Sequence, residues 1–191
     1  MPTSVLTFAL LLCSLIIIGV IPFFNLNNTA DATRALPLDE GPIINDSNLK
    51  TEVVFEGLES PTSIAFLGPN DILVLEKDKG TVQRIVNGKI LAEPLLDANV
   101  AKEGNRGMLG IAVSKVEEIG PTDIFLYFTE APLGEFPMGN RVYKYELVNN
   151  KLVNPTLLLN LPALPGPSHN GGATMIGPDN NIYTVIGDVG G

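Results

Sequence analysis

The sequence predicts an all-β protein built from the repeated hairpins of a β-propeller, preceded by an apolar N-terminal segment. The chain of 191 residues contains 19 glycines and 15 prolines but no tryptophan. Its apolar residues fall in short runs rich in Val, Ile and Leu, and these runs are separated by turn residues. Such a pattern is typical of many short strands joined by tight turns.

Three similar units indicate the propeller. Each has a Gly-Pro turn with Asn or Asp, followed by a β-rich strand, and the turns begin at Gly68, Gly120 and Gly177. The spacings are 52 and 57 residues, and periods of about 40–50 residues are typical of propeller blades. An ordinary β-sandwich with chance Gly-Pro turns is the alternative. An apolar run precedes each turn, so each unit is predicted to be a hairpin of two buried strands: Ile64–Leu67, Leu109–Val113 and Ala173–Ile176 come first.

Outer strands are predicted for the first two units, because each contains two further apolar runs around an Asn-containing turn. About three blades are therefore present, and the third stops after its second strand. We expect residues 51–191 to be an incomplete propeller domain. The isolated residues 25–191 are expected to aggregate or remain partly folded and to be inactive, since open edges and uncovered faces invite association. The predicted outer strands are Thr81–Val86 and Lys89–Leu95 around Asn87-Gly88, then Arg141–Val148 and Leu152–Leu159 around Asn149-Asn150.

The N-terminal segment, residues 1–24, is predicted to be a membrane anchor, and residues 25–50 a polar linker. Val5–Phe24 comprises 20 nearly all apolar residues, enough for a helix across a hydrocarbon layer of about 30 Å. A cleaved signal peptide is the alternative, since Ala30-Asp31-Ala32 resembles a small-x-small cleavage site. Either segment places the remaining chain outside the cytoplasm. Carbonate washing of membranes distinguishes the two, because only an anchored chain stays with the membrane.

Charge and cysteine content exclude several functions. The net charge is −9 and the sequence pI is about 4.5, so nucleic acid is not an expected partner. Cys13 is the single cysteine, which excludes a disulfide within the chain and a zinc site built on cysteines.

Two loops are candidates for a functional site, because each immediately precedes the first strand of a hairpin. They are Glu103–Gly110 and Pro165–Gly172. The second contains His169, the only histidine of the chain, and imidazole is well suited to accept a proton near neutral pH. A loop histidine without a role is the alternative. A single histidine does not make a metal site, so none is predicted.

The residues of the second loop resemble a known family. His169-Asn170-Gly171-Gly172, followed by Ile176–Asp179 and Ile186-Gly187-Asp188, is similar to the glucose/sorbosone dehydrogenases, the soluble-type quinoprotein sugar dehydrogenases. The resemblance spans roughly residues 50–191. It also includes Arg106–Ala112, Phe128-Thr129-Glu130 and Gly139–Val142.

The resemblance implies a six-bladed propeller that binds pyrroloquinoline quinone (PQQ) on its axis, together with calcium. It makes His169 the general base that removes the proton of a sugar hydroxyl, while hydride moves to the quinone. PQQ has three carboxylates and needs cationic partners; these and the calcium ligands are expected from later blades. The residues implied to contact the cofactor are Asn105, Arg106, Asn170, Gly171 and Asp188.

Three positions differ from the family pattern. Asn105 stands where a longer Gln is usual, Ser168 where Asp is frequent, and Ala173 where Arg is expected. A non-catalytic propeller that binds a protein or glycan, and a calcium-dependent lactonase-type propeller, are the alternative functions. Arg and Lys on the inner loops of later blades favour the quinoprotein.

Overall fold

The computed structural model describes residues 44–115 and 121–190. Contacts divide the chain into two units, Met1–Thr51 and Glu52–Gly191. In the described part of the first unit, Asp46 accepts a hydrogen bond from the backbone N–H of Asn48. The predicted anchor lies outside the described residues and stays a prediction. In the part of the chain that is described, no helix is long and apolar enough to cross a membrane.

The first antiparallel sheet of the second unit follows the predicted hairpins closely. Its first four strands lie in chain order across the sheet, and its fifth strand also pairs with the third. The predicted outer strand Lys89–Leu95 is wrong in extent, because the strand ends at Ile90 and the next begins at Leu96. The N–H groups of Leu91 and Leu95 still donate to carbonyls of the third strand. Pro94 lies in the gap and has no N–H to donate to a sheet. The strands are β1 (Pro61–Gly68), β2 (Asp71–Glu76), β3 (Thr81–Val86), β4 (Lys89–Ile90) and β5 (Leu96–Asp97).

The second sheet is a four-stranded antiparallel meander, as expected for a propeller blade. Asn149 and Asn150 connect its last two strands, both with positive φ (+49° and +59°). This backbone is that of the tight hairpin turns favoured by Asn, so the predicted Asn-Asn hairpin is present. The strands are β6 (Met108–Lys115), β7 (Thr122–Glu130), β8 (Gly139–Val148) and β9 (Lys151–Leu161).

The third sheet is a short hairpin of β10 (Thr174–Ile176) and β11 (Ile182–Thr184). β6 contacts β1 on one side and β10 on the other. The first strands of the three sheets are therefore neighbours, which is the arrangement of successive blades around an axis.

The apolar core lies between the first and second sheets. The prediction that every hairpin consists of two buried strands is wrong for the first and third sheets. Ile64 and Phe66 of β1 and Met175 of β10 are more than half exposed, because no described sheet covers those faces. The main core residues are Leu73, Leu75, Val82, Leu95, Met108, Ile111, Ile124, Leu126, Phe128, Tyr145 and Leu152.

Glu76 is a buried carboxylate at the end of β2, only 2% exposed. It accepts hydrogen bonds of 2.8 Å from the backbone N–H of Glu59, the hydroxyl of Thr81 and the amide of Gln83. Nζ of Lys79 lies 3.3 Å from Oε1 of Glu76. Burial alone would raise the pKa of Glu76, but these hydrogen bonds outweigh it and lower the pKa from 4.5 to about 2.

A lowered pKa makes Glu76 a pH-dependent source of stability. The contribution, about 3 kcal/mol at most, is complete above pH 4.5 and is lost as the pH falls towards 2. We expect Glu76→Gln to lower the free energy of unfolding of the full-length protein by about 2–4 kcal/mol at pH 7. The deficit should shrink at pH 3. Urea unfolding of both proteins at the two pH values measures it, and an equal deficit at both would contradict this role.

Candidate functional site

The two predicted loops meet at one end of the second sheet, where β6 begins and β9 ends. The backbone N–H of Asn105, in the loop before β6, donates to the carbonyl oxygen of Pro167, in the loop before β10, at 2.9 Å. The Asn105 side chain is exposed. Residues that are more than sixty positions apart in the chain thus form one surface.

His169 lies on this surface paired with Asp188. Its Nδ1 is 2.9 Å from Oδ1 of Asp188, and the two side chains are 66% and 68% exposed. The backbone N–H of Gly190 also donates to this carboxylate, at 3.1 Å. Both hydrogen bonds lower the pKa of Asp188, and the bond from the Gly190 N–H has the larger effect. Because an ionised carboxylate only accepts hydrogen bonds, Nδ1 carries the proton and Nε2 is the basic nitrogen.

The backbone of the His169 loop is fixed by the segment that follows β11. The N–H of Gly172 donates to Val185, and the N–H of Val189 donates to the carbonyl of His169 itself. Gly187 packs so closely that a methyl group there would overlap the His169 carbonyl oxygen. Gly171 has a φ of +75°, in the region that glycine adopts without strain. Gly171 is therefore needed for the shape of the loop, and its contact with a cofactor stays a prediction.

Asn170 faces the protein interior and is only 1% exposed. Its Nδ2 donates to the carbonyl of Pro167 at 2.8 Å, and its Oδ1 accepts from Asn140 at 3.0 Å. Its backbone carbonyl accepts from the hydroxyl of Tyr127 at 2.6 Å. A cofactor contact of the Asn170 side chain stays a prediction, whereas its role in anchoring the loop is evident from these bonds.

Arg106 is likewise buried, at 4% exposure. Its Nη2 donates to the carbonyls of Ala163 and Gly166 at 2.7 and 3.1 Å, and its Nη1 lies 3.3 Å from Glu103. The guanidinium therefore ties the loop before β6 to the chain that leaves β9. Its predicted contact with a cofactor stays a prediction.

Sequence reasoning assigned no role to three buried polar residues beneath the loop: Tyr127, Thr129 and Asn140. The available signal was the family resemblance, because Thr129 and Asn140 lie in two of the stretches that carry it. Their direct pairing across β7 and β8 is visible only in the structure. A buried polar pair between two strands needs a further hydrogen-bonding partner, and Asn170 provides it.

The described arginines are not free to pair with a ligand that carries three carboxylates. The described arginines, Arg84, Arg106 and Arg141, each pair with an acidic side chain of the chain itself. Within residues 44–115 and 121–190, no group of three or more His, Cys, Asp or Glu side chains is arranged to hold a metal ion. The exposed side chains of His169, Asp188 and Asn105 are available to a small molecule at this surface.

A family model described as "Glucose / Sorbosone dehydrogenase" matches residues 58–191. The chain belongs to this family. The match includes the His169 loop, Asp188 and all of β6 to β11. The resemblance found in the sequence is therefore confirmed.

Solved structures of similar proteins agree with the family assignment. A PQQ-bound aldose sugar dehydrogenase from Streptomyces coelicolor is 29% identical, with a TM-score of 0.62, and the match covers 73% of this chain. Two glucose dehydrogenase structures are 22% and 23% identical, each with a TM-score of 0.59 and 70% coverage of this chain, and they show the fold alone. No curated protein sequence matches the chain.

The chain spans about 41% of the length of the Streptomyces coelicolor enzyme, and 39% and 40% of the glucose dehydrogenases. Its antiparallel sheets therefore correspond to part of the propeller of a PQQ sugar dehydrogenase.

Proposed function

We propose that the full-length protein is a six-bladed propeller that oxidises a sugar or aldose hydroxyl with PQQ, outside the cytoplasm. The observation that carries the proposal is the exposed His169–Asp188 pair, in which His169 lies in the loop that resembles the family and Asp188 in the segment after β11. The Streptomyces coelicolor relative, an aldose sugar dehydrogenase solved with PQQ, supports the substrate class and the cofactor.

His169 acts as the general base in this proposal. Its Nε2 accepts the proton of the sugar hydroxyl, and the Asp188 carboxylate stabilises the resulting imidazolium through the bond to Nδ1. The same bond fixes the ring orientation, so the basic nitrogen faces away from Asp188. PQQ, when bound, supplies the electron acceptor.

The neighbouring groups orient the substrate around this base. Asn105 presents an exposed amide on the loop that bonds to Pro167, and an amide can donate to a sugar oxygen or accept from a sugar hydroxyl. Asn105 and His169 therefore offer complementary hydrogen bonding to a polyol. The cations for the PQQ carboxylates and the ligands for calcium are proposed to come from residues outside this chain.

Titration of the full-length protein with PQQ tests the proposal. PQQ absorbance should saturate at one equivalent when calcium is present, and the loaded protein should then oxidise aldoses in the presence of an artificial electron acceptor. A titration without calcium is the control for the metal. A folded protein that binds no PQQ under either condition would contradict the proposal and favour the non-catalytic binding module.

A further inference from the structure

The backbone at His169 needs support that its own side chain does not give. His169 has a φ of +53°, in the left-handed region that non-glycine residues seldom adopt. Its ring is mostly exposed, and its hydrogen bond goes to Asp188, which is itself exposed. The ring position therefore depends on what holds the loop backbone, which is the segment after β11 together with the contacts of the adjoining residue, Asn170.

Asn170 is held from below by residues of the second sheet. The Tyr127 hydroxyl donates to its backbone carbonyl at 2.6 Å, and Asn140 Nδ2 donates to its side-chain oxygen at 3.0 Å. The Thr129 hydroxyl donates to Oδ1 of Asn140 at 2.7 Å. This bond fixes which way the Asn140 amide points, so that its NH₂ group faces Asn170 and the carbonyl of Pro162.

The strand pattern explains why these side chains meet the loop. Side chains alternate across a strand, so Tyr127 and Thr129 share the face of β7 opposite to Leu126 and Phe128. Leu126 and Phe128 belong to the core between the first two sheets. Tyr127 and Thr129 thus face the loop before β10, and Asn140 is the direct cross-strand partner of Thr129.

These hydrogen bonds strongly favour one position of the loop, because the side chains that make them are buried. Tyr127, Thr129, Asn140 and Asn170 are each at most 1% exposed, and burial raises the pKa of Tyr127 to about 12. A buried polar group that loses its partner has no water to replace it, so a fully satisfied network favours one arrangement over all others.

We propose that Tyr127, Thr129 and Asn140 form a positioning network that sets the place of His169 through Asn170. The inference rests on the proposed function of His169 as general base. None of the three touches the substrate, so their effect on the reaction passes through the loop backbone.

A pair of substitutions at Thr129 separates positioning from packing. Thr129→Val keeps the shape and removes the hydroxyl, whereas Thr129→Ser keeps the hydroxyl and removes a methyl group. In the PQQ-loaded full-length protein we expect Thr129→Val to lower kcat about tenfold with little change in KM, because small displacements of a catalytic group are costly. Thr129→Ser should stay within about twofold of the original protein. A packing role predicts the reverse order and would overturn the proposal.

A second measurement needs neither PQQ nor turnover. In the cofactor-free full-length protein labelled with ¹⁵N-histidine, the His169 signal is identified by its absence in His169→Asn. We expect Thr129→Val and Tyr127→Phe to shift or broaden this imidazole signal, and Tyr145→Phe to leave it unchanged. Tyr145 is a buried tyrosine of the same sheet that belongs to its apolar core, which makes it the matched control.

The two measurements distinguish the failure of this inference from the failure of the proposed function. An unchanged imidazole signal in both Thr129→Val and Tyr127→Phe would overturn the network. A shifted signal, together with full turnover in His169→Asn, would overturn the role of His169 as base while confirming that the network positions it.

Discussion

Replacing His169 with alanine should lower the turnover of the PQQ-loaded full-length protein by about 10²–10⁴-fold, the usual contribution of a positioned general base. Its Nε2 is the basic nitrogen because Nδ1 is bonded to Asp188. The affinity for PQQ should change much less, since the imidazole acts on the sugar hydroxyl. Steady-state kinetics with a saturating aldose measures the first quantity, and PQQ titration the second.

His169→Asn is the matched control, because Asn tolerates the positive φ of this position better than Ala does. If the imidazole is the base, both variants should be impaired to a similar extent. Recovery of turnover in His169→Asn alone would show that the loop backbone, not the proton acceptor, limits the alanine variant. Unchanged turnover in both would contradict the base role.

Gly187→Ala should lower turnover by about 10²-fold, although residue 187 carries no reactive group. A methyl group there would overlap the His169 carbonyl oxygen, so the loop or the 185–190 segment must move. A displacement of about 1 Å at a catalytic group costs on the order of 10²-fold in rate. Turnover and the ¹⁵N signal of His169 should change together.

Gly68→Ala is the control for this substitution. A methyl group at Gly68 meets only ordinary contact with Asp71 at 3.8 Å, and we expect turnover within about twofold of the original protein. Equal losses in Gly187→Ala and Gly68→Ala would attribute the effect to glycine replacement in general. Full turnover in Gly187→Ala would contradict the close packing of this segment on the loop.

The strands could be predicted from the sequence because turn chemistry and strand pattern are local. Asn149-Asn150 indicates the β8–β9 turn without reference to the rest of the fold. The gap between β4 and β5 was not predicted. Pro94 lies in this gap and has no N–H to donate to β3, and that matters only once the pairing with β3 is known. Exposure of Phe66 and Met175 could not be predicted, because it depends on which sheet covers each face.

The candidate site was predictable only in part. The unique histidine and its glycine-rich loop identified the position of His169. The partners of Arg106 and Asn170 could not be foreseen, because they include backbone carbonyls, and every residue type carries one. The pairing of Asp188 with His169 depends on how the chain returns after β11, which no local pattern specifies.

The distances along the chain between bonded groups set an order of events during synthesis. Within the second sheet each strand pairs with the strand next to it in sequence, so that sheet can form once Leu161 has left the ribosome. The bond between Tyr127 and Asn170 spans 43 residues, and the His169 loop is bonded to Val185 and Val189. At roughly 5–20 residues per second, these arrive a few seconds later. We therefore expect Tyr127, Thr129 and Asn140 to be open to solvent during that interval, before the His169 loop packs on them.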